Sequence, residues 1–238
     1  MSRPSLAYAL LAAAANVVGA AAVTSRARWS VRALEAMVAF AGGFMISVAL
    51  ADLLPQSVVT LGEGGAMAAL LGYVLVHLTQ HALVPHFHFG VETHHVTPTV
   101  SVSALAGLLL HTFVDGVAIA SGFRVSDALG GLVFGAILLH KFPEGLAISS
   151  LFLAAGAGRR RALGAAAMLG VATLAGVLAT EATAQLARYG LALSAGVMLY
   201  VGASNLVPEF QGKPGWRLPA SFFAGCGAYL LARAVVAA

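Results

Sequence analysis

Apolar residues run through this chain in long blocks rather than in the alternations or one-sided stripes of a water-soluble domain. Eight blocks, at 6–23, 36–59, 65–85, 100–123, 128–155, 162–187, 190–210 and 218–237, come close to or exceed the roughly 20 residues a helix needs to cross a bilayer. Ala, Leu and Gly dominate them without period-two alternation, which argues against strands and a transmembrane barrel. The pattern predicts an all-α integral membrane protein of eight transmembrane helices forming one transporter-like domain over 1–238. The first block follows Arg3 and could pass for a secretory signal, but seven further crossings make an uncleaved first helix the simpler reading.

Composition narrows the class further. Of 238 residues, 60% are hydrophobic and only 9% charged, whereas a soluble surface needs about a quarter of the residues charged. Cys226 is the single cysteine, so no intrachain disulfide forms, and a formal charge of +4 is too small and scattered for a nucleic-acid surface. The placement of that charge carries more information. With eight crossings, one side collects Arg3, Arg124, Arg188 and Arg233, and the other Arg26, Arg28, Arg32, Arg159, Arg160, Arg161, Lys213 and Arg217. The richer side is expected in the cytoplasm, with Trp29 and Trp216 as interface anchors and both termini outside.

Two internal repeats stand out. Residues 108–121 (LLLHTFVDGVAIAS) overlay 137–150 (ILLHKFPEGLAISS) at an offset of 29, sharing L-L-H-x-F-x-[DE]-G-x-A-I-x-S. Chance matches between alanine-rich helices fall at apolar positions, not at a histidine, an acid four residues on and the glycine after it. A weaker pair sets Gly43 through Asp52 and Pro55 against Gly196 through Asn205 and Pro208, in the second and second-to-last crossings. The chain therefore reads as three helices, a central pair and three more, with outer units that run in opposite directions, as in many transporters.

On a helix, residues four apart share a face, so His111 lies with Asp115 and His140 with Glu144. Each motif sits near the middle of its span, where a carboxylate costs roughly 2.5–3.5 kcal/mol on insertion scales. Two neutral imidazoles and two carboxylates form an electroneutral N2O2 set for a divalent cation, with Zn2+ favoured and Fe2+ or Mn2+ tolerable. Pro143 removes an amide beside His140, and Gly116 and Gly145 permit close helix approach. Lys141 also lies near the membrane centre and needs a carboxylate from Asp115, Glu144 or Asp52, unless it snorkels to an interface. A polar network that only glues two helices together is the plainer alternative.

The sequences His111-Thr112-Phe113-Val114-Asp115-Gly116 and His140-Lys141-Phe142-Pro143-Glu144-Gly145 resemble the paired fourth- and fifth-helix signatures of the ZIP (Zrt/Irt-like protein) family of divalent metal transporters, bacterial type. Eight spans, outward termini and a histidine-containing loop after the third crossing agree over nearly the whole chain. The resemblance implies metal uptake across the cell membrane into the cytoplasm by alternating access, with zinc first and Fe2+, Mn2+ and Cd2+ as further candidates. It implies His111, Asp115, His140 and Glu144 as transport ligands, a 3+2+3 fold and elevator-like motion of the central helices; no catalytic cofactor is expected, and the oligomeric state stays open, with a homodimer as one option. Many members hold a second metal through an Asn and an acid after the two histidines and an acid in helix six. Thr112, Lys141 and Thr173 stand at those places here, so a single metal site is expected, with the Lys141 ammonium in place of the second cation.

Other polar positions are secondary. His77, His81, His86, His88, His94 and His95 straddle the end of the third crossing and its loop, as a metal-receiving tract or simply a solvated one; transport should survive loss of the loop. Asp52, Asn205 and Glu209, beside Pro55 and Pro208, are pathway candidates, while Gly131 and Gly135 suggest close helix packing. An intramembrane zinc hydrolase is the competing class, but H-E-x-x-H and a separate general base are missing from the sequence. A histidine-based proton channel would conduct without added metal.

Overall fold

The computed structural model describes residues 3–25, 30–80 and 98–237, and all of its regular elements are helices. Helix α1 spans Arg3–Thr24; α2 (Val31–Val48) passes through a π-helical segment, Ala49–Leu53, into α3 (Leu54–Leu61). Then come α4 (Glu63–Leu78), α5 (Pro98–Val125), α6 (Asp127–Ala154), α7 (Arg159–Ala182), α8 (Ala184–Tyr200) running into a second π segment, Val201–Leu206, and α9 (Arg217–Ala237). Among the described residues, counting α2–α3 and α8 with its π segment as single spans, seven helices are long and apolar enough to cross a membrane, and Glu63–Leu78 is a shorter apolar helix. The protein is an all-α, multi-pass membrane protein.

The breaks between spans follow local chemistry. Gly62 supplies the positive φ of 61° that turns α3 into α4, and Gly156, at φ 78°, lies in the turn after α6. Ser126 alone separates α5 from α6: its Oγ accepts the amide of Leu129 at 3.1 Å, and Asp127 follows in the first turn. This tight corner makes the two motif-bearing helices antiparallel neighbours.

The weaker repeat is written into the backbone. In the second crossing the Leu54 amide bonds the Ala49 carbonyl, and in the seventh the Val207 amide bonds the Gly202 carbonyl at 3.0 Å, both reaching five residues back. The two bonds occupy equivalent repeat positions, each one residue before its proline, Pro55 or Pro208. Proline cannot donate to the carbonyl four residues earlier, and a π turn accommodates that gap.

Helix contacts show the same symmetry. A methyl group added at Gly145 would overlap the carbonyl of Asn16, and one at Gly19 that of Phe142, where α1 crosses α6. Gly116 and Gly176 meet the carbonyls of Thr173 and Phe113 in the same reciprocal way where α5 crosses α7. Gly43 and Gly225 join α2 to α9 against Phe222 and Phe40, and Gly196 and Gly72 join α8 to α4 against Ala69 and Leu193. Glycine lets backbones approach until Cα–H groups face carbonyl oxygens, a recurring membrane-helix contact. The close packing expected at Gly131 and Gly135 is not found among the described residues: none comes within 4 Å of a Cβ added at Gly131, and one at Gly135 meets the Phe44 ring at 3.9 Å. Periodic spacing alone could not tell which glycines lie at a crossing.

Around these crossings the main apolar core gathers Met45, Leu53, Ile119, Ile137 and Met198, all fully buried, while a smaller cluster holds Leu108, Ile148 and Leu169. Large apolar side chains such as Val59, Leu71, Val171 and Leu231 are exposed instead, as the lipid-facing surface of a bundle requires.

Candidate metal centre

The duplicated motif converges. His111 and Asp115 lie one turn apart on α5, His140 and Glu144 one turn apart on α6, and all four are buried. One ligand atom from each can be chosen so that all lie within 4.8 Å of one another. The imidazoles of His111 and His140 have centroids 5.5 Å apart, and their Nε2 atoms stand 3.5 and 3.3 Å from the same oxygen, Asp115 Oδ2. Two ligands held roughly 2.0–2.1 Å from one zinc ion at a tetrahedral angle stand about 3.3–3.4 Å apart; the 3.3 Å separation matches that edge, the 3.5 Å one is slightly longer, and the four-atom set spreads to 4.8 Å.

Hydrogen bonding sharpens that reading. His140 Nδ1 donates to the Ala136 carbonyl at 3.0 Å, because a carbonyl can only accept. In a neutral imidazole this leaves the Nε2 lone pair aimed at a carboxylate oxygen, an arrangement that a cation between them would satisfy. Orienting a ligand histidine through its other nitrogen is the usual support in metal sites. Among the described residues, Asp115 Oδ1 and His111 Nδ1 have no hydrogen-bond partner.

Lys141 is fully buried in the same cluster. Its Nζ lies 2.6 Å from Asp115 Oδ2 and 2.6 Å from Glu144 Oε2, and donates to Thr112 Oγ1 at 3.3 Å. Thr112 in turn donates to Glu144 Oε1 at 2.7 Å. Of the partners open to Lys141 from sequence, the structure uses Asp115 and Glu144; Asp52 instead accepts from Tyr229 Oη at 2.8 Å and pairs with Arg233 at 3.2 Å. Thr173 is buried at the α5–α7 crossing, its hydroxyl donating to the Leu169 carbonyl at 3.3 Å.

A small cavity of ≈ 30 Å³, room for a water-sized species, touches His111, His140 and Glu144. Its other walls are Asn205 and the apolar Val38, Leu108, Pro143, Val201 and Leu206. Relative to the histidines, these residues lie toward the bundle end where α2 and α5 start and where α6 and the second π segment finish. That end carries Arg159–Arg161, Lys213 and Arg217.

The chain matches the family model described as ZIP zinc transporter over residues 88–232, more than half of its length. The chain belongs to the ZIP zinc transporter family. No curated protein matches it. Membership makes this ZIP chain a membrane carrier of divalent metal and places it outside the enzyme class, and the buried His/Asp/Glu cluster fits a metal site.

Of the pathway candidates, Asn205 lines the cavity, whereas Asp52 is tied to α9 and Glu209 lies in the turn after the second π segment. His77 sits near the end of α4 with its ring against Tyr200 at 5.7 Å; His81, His86, His88, His94 and His95 lie outside the described residues. Sequence reasoning missed Asn16, fully buried opposite Gly145 with both amide atoms unpartnered among the described residues. A signal existed: Asn16-x-x-Gly19 in the first crossing corresponds to Thr173-x-x-Gly176 in the sixth.

Proposed function

We propose that this protein takes up zinc into the cytoplasm by alternating access, with His111, Asp115, His140 and Glu144 as the transport ligands. The observation that carries the reading is the convergence of four buried donor atoms, from two antiparallel helices, within 4.8 Å of one another. Two imidazoles and two carboxylates suit a borderline divalent ion, so Zn2+ leads, with Fe2+, Mn2+ and Cd2+ as competitors.

The Lys141 ammonium between Asp115 and Glu144 supports a single metal, since a second cation there would meet a fixed positive charge. The positive-inside rule assigns the arginine-rich end to the cytoplasm of a cell membrane, so the cavity belongs to an inward-facing state and both termini face outward. The reciprocal glycine crossings of α1 with α6 and α5 with α7 support an elevator-like unit larger than the central pair, moving against α2–α3, α4, α8 and α9. The remaining structural expectations, one domain over 1–238 and a homodimer, complete the proposal.

Reconstitution tests it. Zn2+ influx into proteoliposomes, read by an internal metal-sensitive dye, should fall to the protein-free background in His111→Ala and Glu144→Ala. Wild-type flux that survives both substitutions would refute the site. Turnover of a lipid or peptide without flux would favour the hydrolase.

A further inference from the structure

Resting on the metal-transport reading, the cluster poses a second question: how the site crosses the membrane when it is empty. A carrier completes net transport only if its unloaded form also reorients. Here that form holds two buried carboxylates, each in a low-dielectric setting where an unpaired charge is strongly disfavoured.

Lys141 answers the charge problem asymmetrically. It is the position at which the duplicated motif gains a charge: its counterpart at the offset of 29 is the neutral Thr112. The ammonium donates to Glu144 Oε2 and Thr112 Oγ1 and pairs with Asp115 Oδ2 at 2.6 Å. The cavity touches His111, His140 and Glu144 but neither Lys141 nor Asp115, so the ammonium and Asp115 lie on the side of the cluster away from the cavity.

The formal charges follow. With neutral imidazoles, two carboxylates without the lysine would total −2 empty and 0 with a divalent ion; with the lysine the totals are −1 and +1. The Born cost of a buried charge rises with its square, so the ratio of empty to loaded cost changes from four against nothing to one against one. A site built without the lysine favours the loaded crossing and strands the empty carrier unless another cation accompanies it back. A site with it treats the two crossings alike.

We propose that Lys141 is the built-in counter-ion of the empty transport site, allowing the unloaded carrier to return without a co-transported or exchanged cation. It acts by positioning charge and is not a metal ligand.

Proteoliposomes separate the two strokes. Exchange of isotopically labelled Zn2+ against internal Zn2+ uses only the loaded form, whereas net uptake into metal-free vesicles also needs the empty return. Both are measured at clamped membrane potential and with no pH gradient. For the wild type the exchange-to-net ratio should stay below about 3; in Lys141→Met it should rise at least tenfold, and Lys141→Arg should bring it back toward the wild-type value. A wild-type ratio above 10 would overturn the proposal without reference to any variant, as would a Lys141→Met ratio equal to that of the wild type. Absence of both exchange and net flux in the wild type would instead remove the metal-transport reading itself.

Discussion

Replacing Gly145 by alanine tests whether the reciprocal glycine crossings hold the metal-bearing helix in place. The new Cβ would stand 2.7 Å from the carbonyl carbon of Asn16 and 2.8 Å from its Cα, besides overlapping the oxygen. Carbon atoms pack at about 3.5–4.0 Å, so α1 and α6 must part by about 1 Å along a contact made by backbone, which cannot rotate aside. Overpacking of this kind costs roughly 1–3 kcal/mol. The helix preference of alanine over glycine returns at most about 1 kcal/mol. Gly131 is the internal control, on the same helix with nothing within 4 Å of an added Cβ. Gly145→Ala should therefore lower the thermal midpoint of the detergent-solubilised protein, followed by fluorescence-detected size exclusion, at about 2–4 °C per kcal/mol lost. Gly131→Ala should leave it unchanged or slightly raised. Equal midpoints for the two variants would refute the argument that the α1–α6 contact depends on a missing side chain.

Two further substitutions probe the charges. Lys141→Asp removes the ammonium and supplies an acid where many family members have one, so bound zinc in the purified protein, measured by elemental analysis, should rise from about one to about two ions per chain; unchanged stoichiometry would show that the lysine does not stand in for a second metal. Tyr229→Phe deletes the 2.8 Å bond to Asp52, a bond to a charged group worth about 1.5–3 kcal/mol, and should lower thermal stability without altering zinc affinity, because neither residue lines the cavity. A tenfold loss of affinity by titration calorimetry would place that network in the transport path instead.

How much of this was legible in sequence depends on whether a feature is local. Apolar runs of bilayer length fix helices and approximate ends, because each helix satisfies its own backbone hydrogen bonds and lipid penalises any other arrangement. The duplicated His-x-x-x-acid pattern fixed which side chains share a face, since four-residue spacing is helix geometry; that a single residue, Ser126, links the two helices was seen only in the structure. Tertiary packing decided what spacing leaves open. It chose Asp115 and Glu144 over Asp52 as partners of Lys141, and it put Asn205 in the cavity while tying Asp52 to Tyr229 and Arg233. It also gave the close crossings to Gly145 and Gly116 and left Gly131 facing open space. A sequence records which residues can pair; the rotation and separation of whole helices, summed over many contacts far apart in the chain, determine which of them do.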